Sequence, residues 1–360
     1  MGQPTPLYDV HIALGAKMVE RDGWEMPLHY GDQVDEHHQV RATCGVFDVS
    51  YLCVVDVCGS AAEAWLYTHL SNNVRRLEQP GQAQYSLLLS ETGGILADVL
   101  VYRLHNGFRL ITDPACKTHL LSALHAAATD MQFTEQTGNV VLLAIQGPEA
   151  RERCARLVSS AQAAVIEQLL PFQAREVEGW FIARTGFTGE DGVEILLSVD
   201  DAVTFFYELI GAGIPPIGLA ARDTLRIEAG FCQYGQDLTV HTSPLSLSLE
   251  HVIAWEPQDR AFTGRAALEQ TRAEGGDTHR LVGLILEERG ILRHGDTVRV
   301  EGLGSGMITS GSFSPTLGKI IALAQVPAGT SDRAEVEVRG KWYPVRVVRP
   351  GFVRHGTPLI

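Results

Sequence analysis

Three segments hold residue types that can do chemistry. The run Arg184-Thr185-Gly186-Phe187-Thr188-Gly189-Glu190-Asp191-Gly192-Val193-Glu194 sets glycines and carboxylates between two expected strands. Glycine lets the backbone turn sharply and come close to a ligand. Phe187 offers a flat face on which an aromatic ring can stack, and Glu194 offers two acceptor oxygens to a planar amino-amidine edge such as that of a pterin. Read alone, the same run is an ordinary hairpin. In Gly218-Leu219-Ala220-Ala221-Arg222-Asp223-Thr224-Leu225-Arg226-Ile227-Glu228-Ala229-Gly230, Arg222 and Arg226 stand one helical turn apart and share a face. They can hold a carboxylate in place, or form surface ion pairs with neighbouring acids. Asp98 follows Gly93-Gly94-Ile95-Leu96-Ala97 and precedes apolar Val99-Leu100. A carboxylate at the start of such a strand sits either at a cleft rim, where partial burial fits it for proton handling, or on a solvent-facing strand.

The elements that must position these groups follow from periodicity and breakers. Residues 5–30 begin with a short helical pattern and continue into Gly23-Trp24-Glu25-Met26-Pro27-Leu28, where Gly and Pro are expected to interrupt regular structure. Strands are expected at 45–50 and 52–57, then a helix at about 60–70. Residues 85–89 and 99–102 read as a hairpin across the glycine turn 91–94, with 108–111 a third strand and a helix at about 117–128. A second, similar unit has strands at 140–145 and 180–184 and helices around 149–157 and 202–210. The arginine-bearing segment is a helix from near Gly218 to a glycine cap at Gly230. Arg272-Ala273-Glu274-Gly275-Gly276-Asp277 reads as a domain boundary. Beyond it, short strands at 281–286, 297–300, 306–309, 320–325, 334–338 and 342–348 predict a small antiparallel barrel or sandwich.

Bulk properties narrow the function classes. A chain of 360 residues, 45% apolar, buries a real core in two or three domains. A formal charge of −14 with short, scattered basic pairs argues against a general nucleic-acid binder. The start Met1-Gly2-Gln3-Pro4 lacks the features of a secretory signal, and no stretch approaches the roughly 20 apolar residues of a membrane span, so the cytoplasm is the expected compartment. Six cysteines without a C-x-x-C pair are expected to be free thiols. Adjacent histidines on a helix point about 100° apart, so Glu36-His37-His38 reads as a solvated helix face, and no metal is expected.

Taken in order, the segments resemble the T-protein (aminomethyltransferase) family of the glycine cleavage system along nearly the whole chain. The motifs that carry the resemblance are Gly23-Trp24-Glu25-Met26-Pro27, Phe47-Asp48-Val49-Ser50, Tyr85-Ser86, residues 93–98, Gln146-Gly147-Pro148, residues 185–194 and 218–229, Tyr234-Gly235-Gln236-Asp237, Trp255-Glu256-Pro257, and residues 309–318. The resemblance implies an α+β cloverleaf of three domains, two related α+β units and a C-terminal antiparallel β-barrel, around a central folate channel. It divides the chain into a folate-binding region at 1–270 and a barrel at 278–360. It implies that tetrahydrofolate displaces an aminomethyl group from the lipoyl arm of a small carrier, the H-protein, releasing ammonia and leaving 5,10-methylenetetrahydrofolate. By motif, Asp98 is then the acid beside the reactive folate nitrogens and Glu194 holds the pterin edge. Tyr85, Tyr102 and Phe187 line the ring pocket, Arg222 supports the pterin-binding carboxylates or the ligand, and Arg354 stands at the channel mouth.

Departures from the family pattern concentrate where the lipoyl arm is expected to enter. After Asp48-Val49-Ser50 the family usually has His-Met, and this chain has Tyr51-Leu52. Asn72-Asn73 replaces Asn-Asp, Ala97-Asp98 replaces paired acids, and Asp113 replaces an asparagine near the folate tail, where a carboxylate would repel the ligand's own charges. Thr239 and Val240 stand for two acids, and Glu250-His251 for Gly-Trp. Two alternatives follow from these changes: a folate-dependent demethylase of a small methylated substrate, and a folate-binding scaffold for iron–sulfur cluster assembly, one element of whose motif is kept at Cys232.

Overall fold

The computed structural model describes residues 2–127 and 130–360. The chain divides into two compact units, one of Met1–Leu66, Val74–Tyr85 and Val99–Asp223, the other of Tyr67–Asn73, Ser86–Asp98 and Thr224–Ile360.

The first unit holds one five-stranded sheet and the greater part of a second. One has the order Ala174–Val177, Trp180–Ala183, Gly192–Ser198, Val140–Gln146, Gly45–Asp48, antiparallel throughout. Along its central strands Val141, Leu143, Ile145, Val193, Ile195 and Leu197 alternate onto one face and pack with Phe205, Phe206 and Leu209 of the helix Val199–Gly211. Each such side chain contributes about 1.5–3 kcal/mol by leaving water, so the register is firmly held. The same alternation sends Glu194 to the opposite face, where its cross-strand neighbours are Ala144 and Ala183. Two alanines leave room for a carboxylate.

The other sheet has the order Ala83–Leu89, Ile95–Leu104, Gly107–Thr112, Cys53–Cys58, Gln132–Glu135. The expected hairpin and third strand are therefore present, and the following helix is Lys117–His125. The expected end of that helix at Ala128 lies outside the described residues.

Two local expectations are corrected. The stretch after Gly23 is regular: Trp24–His29 is the central strand of a small sheet, flanked by Gln3–Pro4 and Lys17–Arg21. Asp22 and Gly23, at φ 50° and 86°, supply the two positive-φ residues of a tight hairpin turn. A register shift opposite Lys17 and Met18 accommodates Pro27. Glu36-His37-His38 is also not a solvated face. His37 is fully buried, and the Glu36 carboxylate accepts backbone N–H groups of Tyr30 (2.6 Å), Gly31 (3.1 Å) and Gly218 (2.8 Å). Glu36 thereby meets the N-terminal end of the helix Leu219–Ala229, where a negative charge is stabilising.

In the second unit the six strands His279–Leu286, Lys319–Pro327, Gly304–Ser314, Thr297–Val300, Arg333–Val338 and Lys341–Val348 close into a barrel, His279–Leu286 pairing with both Lys319–Pro327 and Lys341–Val348. Val282, Leu284, Leu286, Val298, Ile308 and Val336 fill its interior by simple alternation. The C-terminal half of Leu219–Ala229 is fastened here. Of the two readings of Arg226 the surface ion pair is excluded, and the carboxylate it holds is one of the fold's own: it is fully buried, 2.7 Å from Asp237 and 2.9 Å from Ser310 Oγ. Glu228 accepts from Ser314 Oγ (2.5 Å) and Thr316 Oγ1 (2.8 Å), and Gly230, at φ 75°, ends the helix. Among the described residues no helix is long and apolar enough to cross a membrane.

Candidate active site

Glu194 is the centre of a chain of hydroxyl groups. It is half-buried, and Thr185 Oγ1 donates to its Oε2 at 2.5 Å. Thr185 has one proton to give, so the Tyr102 hydroxyl, 2.9 Å away, is the donor to Thr185. Tyr102 is fully buried and packs edge-on against Phe181, ring centroids 5.1 Å apart. Burial pushes the Tyr102 phenol well above its ordinary pKa, reinforced by the Glu194 charge, so it remains a donor. Burial also raises the Glu194 carboxyl, while the Thr185 hydrogen bond and the Arg222 charge pull it part of the way back. The result is an oriented carboxylate whose free acceptor capacity faces away from the helical core.

The turn that carries Phe187 is shaped by its glycines. A Cβ on Gly186 would lie 1.9 Å from Gln146 Oε1, and one on Gly192 2.3 Å from the Ile145 carbonyl oxygen. Gln146 in turn donates to the Thr185 carbonyl (3.0 Å) and accepts from Thr188 Oγ1 (3.1 Å). Phe187 is half-buried with the Arg222 guanidinium carbon 4.6 Å from its ring centroid. Arg222 also lies 5.9 Å from the ring of Tyr51. Glu194, Thr185, Tyr102, Phe187, Arg222 and Tyr51 thus form one cluster in the first unit. Asp113 is half-buried, and its Oδ1 accepts from Ala115 N at 3.0 Å; burial and the Asp22 charge raise its carboxyl, opposed by that hydrogen bond and by Arg21 and Arg222. Tyr85 is half-buried on the strand Ala83–Leu89.

Asp98 and Arg354 lie in the second unit. Asp98 is the fourth residue of Ile95–Leu104 rather than its first, and it is half-buried while Ile95, Ala97, Val99 and Val101 are fully buried on the other face. The approach to this strand is fixed by backbone contacts. A Cβ on Gly94 would meet the Val240 carbonyl oxygen at 1.9 Å, Ile95 N donates to Thr242 O at 3.1 Å, and the Tyr234 hydroxyl donates to Ile95 O at 3.2 Å. Arg354 lies over the Phe231 ring, 5.1 Å from its centroid. Cys232 is half-buried, and burial together with the Asp237 charge pushes its thiol well up, which makes it a poor nucleophile or metal ligand.

Sequence reasoning passed over the contact of Thr185 with Glu194 and the place of Tyr51 beside Arg222. Thr185 bonds Tyr102, 83 positions away, and nothing in the local pattern signals that. Tyr51 stood out only as a departure from a motif.

The description "GCVT N-terminal domain" matches residues 7–257, and "Glycine cleavage T-protein C-terminal barrel domain" matches residues 279–354. The chain is 58% identical, over 362 residues and the full length of both proteins, to an aminomethyltransferase of Pseudomonas syringae pv. tomato. The crystal structure of glycine cleavage system aminomethyltransferase T from Bartonella henselae is 33% identical and superposes with a TM-score of 0.90, covering 99% of each chain.

Proposed function

We propose, from the premise that the chain belongs to the glycine cleavage T-protein family and is an aminomethyltransferase of that system, that its one-carbon acceptor is tetrahydrofolate and its donor the aminomethyl-lipoyl arm of an H-protein. The reaction moves the methylene carbon to tetrahydrofolate and releases ammonia. Glu194 holds the amino-amidine edge of the pterin, Tyr85, Tyr102 and Phe187 line the ring, Arg222 supports the pterin-binding carboxylates or the ligand, Arg354 stands at the channel mouth, and Asp98 assists proton transfer at the reacting nitrogens. Residues 1–270 form the folate-binding region and 278–360 the accessory barrel, a division that parallels the two matched family regions. The protein works in the cytoplasm.

The observation that carries this reading is the Glu194 carboxylate, oriented by Thr185 and Tyr102 and flanked by Arg222 over Phe187. A carboxylate so held accepts two parallel N–H donors, which a pterin edge presents. The test is equilibrium binding of tetrahydrofolate to the wild type and to Glu194→Gln. Replacing a charge-assisted pair by a neutral amide is expected to weaken binding by about 2–3 kcal/mol, roughly 30- to 150-fold. Equal affinities in the two proteins would overturn the assignment of Glu194.

A further inference from the structure

We infer that Tyr51 is a specificity-determining contact for the folate: its hydroxyl donates a hydrogen bond to an acceptor oxygen of the bound ligand, beside Arg222. Tyr51 is 1% exposed, and among the described residues its hydroxyl oxygen has no hydrogen-bond partner. A buried hydroxyl left in that state is costly, and native structures satisfy nearly all such groups. The ring is not in an apolar part of the core. The Arg222 guanidinium carbon lies 5.9 Å from its centroid, and Arg222 itself reaches Phe187 and the Glu194 charge. The hydroxyl feels the charges of Arg222, Asp113, Arg21 and Asp22.

A hydroxyl at this place is suited to one task. Burial raises the phenol, so at neutral pH it keeps its proton and acts as a donor. With the Arg222 cation next to it, the complementary ligand atom is an oxygen bearing partial or full negative charge, either the ring carbonyl of the pterin or a carbonyl or carboxylate oxygen of the folate tail. Where the family usually carries His-Met, this chain carries Tyr51-Leu52. A histidine is also a donor, but a tyrosine places its donor farther from the backbone.

This inference rests on the folate reading above, and Tyr51→Phe tests it separately. The variant removes one oxygen and nothing else. In the ligand-free protein no hydrogen bond is lost, so the thermal midpoint is expected to stay the same or rise. Tetrahydrofolate is expected to bind about five- to tenfold more weakly, with KM for folate raised by that factor and kcat within about twofold, since uniform binding is what is lost. A tetrahydropterin lacking the benzoylglutamate tail locates the oxygen: the same penalty puts it on the ring, and a penalty confined to the whole folate puts it on the tail. An unchanged dissociation constant for both ligands overturns the inference, as does a lowered midpoint without ligand, which would mean the hydroxyl serves the fold. If Glu194→Gln weakens binding and Tyr51→Phe does not, the folate reading stands and only Tyr51 falls. If the wild type binds no tetrahydrofolate at all, both fall.

Discussion

Asp237→Ala is expected to be among the most damaging single substitutions outside the ligand site. The Asp237 carboxylate accepts Arg226 Nη1 at 2.7 Å, Gln233 N at 2.9 Å, Thr309 Oγ1 at 2.5 Å and Ser310 Oγ at 2.8 Å, and both charged side chains are within 1% of complete burial. Removing one partner of a buried ion pair strands the other charge, which costs about 3–5 kcal/mol. At roughly 2–4 °C per kcal/mol for a unit of 150–250 residues, the midpoint of the barrel-bearing unit should fall by about 6–20 °C. Differential scanning calorimetry resolves the transitions of the two units if they melt separately, so the loss is read on the right one. The pair Arg226→Met with Asp237→Asn removes both charges while leaving an acceptor for Gln233, Thr309 and Ser310. It should lose clearly less than the two single changes added together. A fall of under about 2 °C in Asp237→Ala, or an additive double variant, would refute the view that this ion pair holds Arg226 and its neighbours within the barrel-bearing unit.

Gly94→Ala should fold poorly or lose folate-dependent turnover, because its Cβ would sit 1.9 Å from the Val240 carbonyl oxygen just ahead of the strand that bears Asp98; soluble yield and steady-state rate report it. Binding should depend on pH through Glu194, whose carboxyl is held above its ordinary value by burial. As pH falls through that raised pKa the group takes up a proton and loses acceptor capacity, so tetrahydrofolate affinity declines at a higher pH than an ordinary glutamate would give, and Glu194→Gln flattens the profile. The sign for stability is opposite. The folded state binds this proton more tightly than the unfolded chain, so Glu194 destabilises the ligand-free protein above its folded pKa and this cost disappears as pH falls below the ordinary carboxylate value. Melting of wild type against Glu194→Gln across that range measures it.

The barrel was readable because its cues are local: six alternating runs, separated by turn residues, filled one interior. The glycines flanking Phe187 and the cap at Gly230 were readable as residue types, although what demands them is distant in sequence: Gln146 for Gly186 and Gly351 for Gly230. The reading failed where a distant partner decides. For Arg226 a surface ion pair and a held carboxylate were both open, and it is buried holding one because Asp237 and Ser310 reach it from 11 and 84 positions away. Glu36 looked solvated, and it serves Gly218, 182 positions on. Pro27 looked like a breaker, and a register shift lets it stay in a strand. In the site, Phe187, Glu194 and Tyr102 could be named from their motifs, whereas the hydrogen bond of Thr185 to Tyr102 and the place of Tyr51 beside Arg222 depend on residues far apart in the sequence.

The central claim is that Asp98 assists transfer of the aminomethyl carbon to tetrahydrofolate. The most direct measurement is formation of methylenetetrahydrofolate from glycine in a reconstituted cleavage system containing a lipoylated carrier, comparing wild type with Asp98→Asn. Turnover by the wild type, with a fall of about 100-fold or more in the variant while folate binding is kept, is the predicted result. Equal turnover in both proteins, or folate binding by a wild type that does not turn over at all, would contradict it.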